Sequence, residues 1–358
     1  WGGGGGGGGV WGPDHGGDGG FGGGGGSGST WGGAGGFGGG GAGGASGGGI
    51  TGAGGFGGGN GGSLRGGGGG GGAGMGGAIF VMDGGSLTLT GNTEVRGNNV
   101  TGGASGGNGA QAGSAFGSGI FMQGTNSALA FVPGAGATQT IADAIADQTG
   151  SGGIGTDAGS IGVTKSGAGR LVLSGANTYS GGTTVTGGTL SISADQNLGA
   201  ASGTLTLDGG TLQNTAAITT ARAITVGNAG GTFQTDADLS STGSISGTGG
   251  VIKTGAGALT FAGTNTYTGA TTVGAGTLRA GAANAFSAAS AVTLGGGAVL
   301  DLNNYNQAIG SVAGYGFVTL GTGTLTVGGD NSNTTFNGIF SGSGELIKVG
   351  TGTLTLDR

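Results

Sequence analysis

Along most of the chain apolar residues come in short runs with a period of two, and Gly, Asn and Ser separate the runs. Leu171 and Leu173, Leu190 and Ile192, and Leu259 and Phe261 each stand two residues apart. That period, bounded by turn formers, predicts short β-strands joined by tight turns, and no stretch carries a helical period.

The pattern itself recurs. Residues 165–190, KSGAGRLVLSGANTYSGGTTVTGGTL, return at 253–278 as KTGAGALTFAGTNTYTGATTVGAGTL, an offset of 88 residues, and a third copy opens at Lys348. The chain thus ends inside a repeat. Self-similarity at a long fixed period predicts an all-β solenoid. At roughly 20 to 30 residues per turn, the offset holds three to four turns. Tyr179 and Tyr267 then lie about 15 to 20 Å apart along the axis and are not ladder partners. Stacking inside a block is expected to set Leu190 and Ile192 against Leu205 and Leu207. Lys165, Lys253 and Lys348 open their copies and read as solvated turn residues that discourage edge-to-edge pairing.

Upstream, a shorter echo sets Ile79-Phe80-Val81-Met82 against Ile120-Phe121-Met122, and Leu87-Thr88-Leu89 against Leu129-Ala130-Phe131. Between the copies lies a glycine-rich insertion, 102–119, which reads as a surface loop leaving a stacked turn. Residues 1–77 form a separate glycine tract carrying Trp1, Trp11, Phe21, Trp31, Phe37 and Phe56, the first four spaced ten apart. Three readings stand for this tract: a bundle of extended, threefold, polyglycine II-like helices, long loops thrown out of a solenoid turn, or a mobile linker. Its aromatics are either plugs closing the glycine helices or rings that stack on sugars or on another subunit. The division expected is therefore a cap or bundle over 1–77 and a solenoid over 78–358.

Composition narrows the function. Of 358 residues, 111 are glycine and only 7% are charged, so few side chains can fill a globular interior, which favours a solenoid. Nine basic residues and a net charge of -6 cannot build a phosphate-tracking stripe, which argues against nucleic acid and anionic membranes. No apolar run approaches the roughly 20 residues of a membrane span. Trp1 reads as a processed or trimmed start, and the absence of cysteine excludes disulfides.

The block Gly167, Leu171, Leu173, Asn177, Tyr179, Val185, Leu190, with its second copy Gly255, Leu259, Phe261, Asn265, Tyr267, Val273, Leu278, closely resembles the passenger-associated transport repeat of bacterial autotransporters. Gly76-Gly77-Ala78-Ile79 with Val95 and Asn98 resembles, in degenerate form, the GGAI and FxxN repeats of polymorphic outer-membrane proteins. The resemblance implies an elongated right-handed parallel β-helix exported by type V secretion to the surface of a Gram-negative cell. It further implies an adhesin or stalk, with the translocator barrel lying outside this segment.

Chemistry-bearing motifs are sparse. G-x-S-x-G occurs at 44–48 and 103–107, but a nucleophile elbow needs a strand, a helix and a partner base. His15, beside Asp14 and Asp18, reads as a polar turn rather than a triad base or metal site. Residues 152–157 spell half of a calcium-binding nonapeptide and read as a turn, while Asp143 and Asp147 read as solvated carboxylates. The reading is a non-enzymatic surface protein without cofactor, whose partners are other subunits or glycans. The alternatives are a processed subunit of an extracellular filament joined end to end and, last, a carbohydrate-active β-helix enzyme.

Overall fold

The computed structural model describes residues 15–28, 30–44, 50–64 and 67–357. Every strand pairing among them is parallel, and the only helical pieces are three 3-10 turns, Thr149–Ser151, Gly155–Asp157 and Asp195–Leu198. The chain forms an all-parallel β-solenoid, divided into two compact units.

The larger unit takes Ser86–Glu94, Ala128–Ala142 and everything from Ile161. One turn carries the chain from Arg170 to its neighbour Thr189, and the next from Thr189 to Thr211. Each turn lays strands on up to three faces. The first face carries a seven-stranded sheet from Ser86–Thr90 to Ile245–Gly247, and the second carries twelve strands from Thr93–Val95 to Leu354–Leu356. The third carries seven, from Ile218–Thr220 to Ile339–Gly342. A three-stranded sheet, Gln307–Ala308, Leu325–Val327 and Leu346–Lys348, resumes the strand position of the first face.

The period of two is explained by this geometry. Leu171, Leu173, Val185, Leu190, Leu259, Phe261, Val273 and Leu278 all point inward and are 0–1% exposed. The residues between them face out, where Thr164, Thr184, Thr206 and Thr225 stand in register down the first face. β-Branched hydroxyl side chains suit such a half-solvated ladder.

Two expectations about stacking change. Leu190 pairs with Leu171 and Leu212, whereas Leu205 lies on another face and pairs with Thr183 and Ile224. The residues between Ile192 and Leu205 form a 3-10 corner, so the next strand in sequence does not stack on the last. The offset between the long copies also spans four turns and one face further. Val163–Lys165 belongs to the first face, but its counterpart Val251–Thr254 belongs to the second.

That rotation sets the sheet sizes. In each copy the Asn-Thr-Tyr stretch takes a face without forming a strand. In the first copy residues 175–182 leave the third face bare, and the third sheet begins only at Ile218–Thr220. In the second copy Thr266 and Thr268 donate their backbone N–H groups to Ile245 and Gly247, which closes the first sheet at that strand. The second face receives a strand from every turn and so grows to twelve.

The smaller unit comprises residues up to Gly85, Val95–Ser127 and Asp143–Ser160. Its three-stranded sheet stacks Ile79–Val81, Ile120–Met122 and Ile145–Asp147, with Ile79 against Ile120 and Phe80 against Phe121. The glycine coils carry a different order. The N–H groups of Gly16, Gly19, Gly22 and Gly25 donate to the carbonyls of Trp31, Ala34, Phe37 and Gly40, every third residue. Gly32, Gly35, Gly38, Gly41 and Gly44 continue the pattern onto Ile50, Ala53, Phe56, Gly59 and Gly62. Other N–H groups bond sideways, Gly26 to Gly17 and Gly36 to Gly23. Side chains are shut out of this lattice, since a Cβ on Gly36 would stand 2.0 Å from the Gly20 carbonyl oxygen.

The insertion 102–119 is not a free surface loop. Gly103 and Gly106 donate to Gly72 and Gly69, and Ser114 donates to Gly57. Backbone groups this dense in glycine find partners in other glycine strands, which draws the insertion into the lattice.

Candidate functional site

Three clasps hold the larger unit together, and two of them are the repeat itself. Lys165 and Lys253 are 0% exposed, which corrects their reading as solvated. Lys165 Nζ donates to the carbonyls of Ser166 (2.7 Å), Gly167 (2.9 Å) and Gly187 (2.8 Å). Lys253 Nζ does the same to Thr254 (2.8 Å), Gly255 (2.9 Å) and Ala275 (3.0 Å). An ammonium has three donors and no acceptor, so a cage of three carbonyls satisfies it fully. Glycine is needed next to the cage, because a Cβ on Gly188 or Gly276 would lie 2.8 Å from the lysine nitrogen. Burial pushes both lysines down to about 8; for Lys253 the carboxylates of Asp236 and Asp238 pull the other way. Lys348, in contrast, is exposed and donates to Val349 and Gly350 of its own turn.

The second clasp is the Asn-Thr-Tyr corner. Asn177 Nδ2 donates to the Asn197 carbonyl (2.6 Å) and Asn265 Nδ2 to that of Ala285 (2.7 Å), each in the following turn. Tyr179 and Tyr267 fill the interior where the missing strand would have placed its inward side chains, and each hydroxyl meets a threonine, Thr183 or Thr271, at 2.7 Å. Burial raises both phenols, that of Tyr267 to about 12; their threonine bonds oppose the rise.

The third clasp escaped the sequence reading. Arg222 is 3% exposed and spends its guanidinium on the 195–203 corner. It pairs with Asp195 (Nε to Oδ1, 2.9 Å) and donates to the carbonyls of Asp195, Leu198, Gly199, Ala200 and Gly203. A planar fork with five donors is the side chain that can do this. The available signal was a lone Arg in an apolar run, following Asp195 by a little more than one turn.

In the glycine-rich unit, Phe21, Phe37 and Phe56 stack in one column with ring centroids 5.3 Å apart at each step. Each step along the column is one full coil of the chain, so the spacing of ten seen in sequence does not set the stack. Each Phe opens a turn of the form Gly-Phe-Gly-Gly, with Gly22, Gly38 and Gly57 at φ of +69°, +77° and +70°. That is the second central position of a type II turn, which favours glycine. Phe116 and Phe121 continue the cluster, and Phe80 stacks on Phe121. Phe21 is 55% exposed and Phe56 only 7%. Trp31 stands apart from the column, 43% exposed, against His15 at 5.3 Å and paired with Ile50. Trp1 and Trp11 lie outside the described residues, as do Asp14 and Ser46.

The remaining motifs resolve as local structure. Asp147 is 0% exposed and accepts from the Gly150 N–H (2.6 Å), and Asp143 caps Gly97 and Asn98, which corrects their reading as solvated carboxylates. Asp18 accepts from the Ala34 N–H (2.7 Å). Residues 152–157 fall in a double 3-10 turn. No group of three or more His, Cys, Asp and Glu suited to a metal ion occurs among the described residues. No helix among them is long and apolar enough to cross a membrane.

Two stretches, 163–192 and 251–280, match the family model of the passenger-associated-transport-repeat. These are the segments that hold both lysine cages and both Asn-Thr-Tyr corners. No curated protein and no solved structure matches the chain. The matched repeats and the β-solenoid fit an autotransporter passenger, a class that is secreted or held at the cell surface.

Proposed function

We propose, from the premise that this is an autotransporter-type passenger segment, that it is a non-enzymatic adhesin displayed by a Gram-negative bacterium. The strand-built unit serves as stalk, and the glycine-rich unit meets the partner. One observation carries this reading. The most deeply buried cations, Lys165, Lys253 and Arg222, are spent on backbone carbonyls and one carboxylate of their own fold. Charges used in this way maintain a scaffold and are not poised for reaction at a cleft. In the glycine-rich unit the threefold hydrogen-bond spacing supports the extended three-residue helix over the loop reading, and such a lattice can present aromatic side chains on a stiff backbone.

The test is display. The chain is fused ahead of a translocator barrel in a non-adherent Gram-negative host, surface exposure is read by protease shaving, and adherence to glycan-coated surfaces is counted. Adherence that rises with displayed protein supports the adhesin. A displayed chain that shortens a polysaccharide would overturn it in favour of an enzyme. Long fibres of purified protein with a uniform subunit repeat in negative stain would overturn it in favour of the filament.

A further inference from the structure

We propose that the glycine-rich unit contains a recess for a neutral sugar ring, formed between its third glycine coil and the double 3-10 turn. The proposal rests on the adhesin reading and names the chemistry of its ligand. The recess has a volume of about 390 Å³, within the range of small-molecule sites and roomy enough for one or two pyranose rings. Gly54, Gly55, Gly57 and Gly58 form one wall, Phe56 and Phe116 the floor, and Ser151 to Ile154 with Asp157 the other wall.

The second wall is built, not loose. Gln148, 4% exposed, accepts at its backbone carbonyl from Ser151 and Gly153, and its side chain bonds the Asp157 carbonyl (3.0 Å) and the Gly124 N–H (2.5 Å). Asp147 holds Gly150 from below. On this fixed frame two groups have no work within the fold. The Asp157 carboxylate makes no hydrogen bond or ion pair among the described residues, and Ile154 is 82% exposed. A large aliphatic side chain standing in water at the rim adds apolar area with nothing to cover it.

A pyranose answers both. Its C–H face packs on Phe116 and Ile154, and its hydroxyls donate to the Asp157 carboxylate in charge-assisted bonds. Backbone groups of the glycine wall, with no side chains in front of them, can take further hydroxyls. The carboxylate disfavours acidic sugars by like-charge repulsion, so the ligand is a neutral one.

Saturation-transfer NMR on the intact chain tests this, using the methyl glycosides of glucose, galactose, mannose and N-acetylglucosamine. Transfer to at least one is expected, weakened about tenfold by Asp157→Asn, the scale of one lost charged hydrogen bond, and also by Ile154→Ser. Leu64→Ser, which removes another exposed apolar residue elsewhere in the unit, should leave binding unchanged. No transfer to any of the four, or equal binding by all variants, would overturn the recess. The adhesin reading is separable. Displayed cells that adhere equally well with Asp157→Asn would sink the recess and spare the adhesin, and a chain that binds sugar but gives no adherence would do the reverse.

Discussion

At the scale of single residues, the lysine cages make the sharpest predictions. Lys253→Met would leave three carbonyls facing an apolar chain and should cost about 1–3 kcal/mol, read as a lower urea midpoint. The cages also make stability depend on pH. Lys165 and Lys253 titrate near 8 when folded and at 10.5 when unfolded, so between those values the unfolded chain binds more protons, and stability rises with pH. Below about 8 both states carry the charge and this slope disappears. Tyr179 and Tyr267 act oppositely: their folded phenols are raised above the ordinary 10, so their contribution is present below 10 and lost above it. Urea midpoints should therefore climb from about pH 8, turn over near pH 10, and stay flat over pH 8 to 10 in a Lys165→Met, Lys253→Met double variant. Spectrophotometric titration should leave Tyr179 and Tyr267 protonated at pH 11.

At the scale of elements, period-two runs were legible because inward and outward positions alternate on every strand, and Leu171 with Leu173 needed nothing more. The cages were not, because a lysine between Thr164 and Ser166 reads as polar whether its stem points in or out. Only a carbonyl on the following turn, that of Gly187, decides that it points in. Arg222 was hidden for the same reason, since its partners at 195–203 lie on an earlier turn. The glycine coils posed a different difficulty: their order lies in backbone hydrogen bonds, and sequence shows side chains. A matched pair tests that order. Gly36→Ala would drive a Cβ to 2.0 Å from a carbonyl oxygen, whereas Gly20→Ala meets nothing within 4 Å. The first should abolish protection of the glycine coils in hydrogen exchange, and the second should preserve it. For Arg222→Met, loss of the ion pair and five carbonyl contacts should cost about 3–5 kcal/mol, the scale for breaking a largely buried ion pair, because the carbonyls and the part-buried Asp195 lose their cation.

At the scale of the whole molecule, the repeat is a module that carries its own clasps. Excising residues 165–252 would join Thr164 to Lys253 and bring the second copy onto the faces of the first. The shortened chain should keep its β-sheet circular dichroism and a cooperative transition, because Lys253, Asn265 and Tyr267 still find their partners at Ala275, Ala285 and Thr271. The face rotation between copies also explains why sequence comparison of the copies could reveal their kinship but not their placement: equal sequences here stand on unequal sides.

That rotation has a mechanical meaning. A corner without a strand is a joint, and joints aligned on one side would form a continuous crack down that side. Because consecutive copies advance by four turns and one face, the joint left by Tyr179 is bridged by sheet on the face where Tyr267 leaves its own. The solenoid is laid in running bond, as a mason staggers courses of brick.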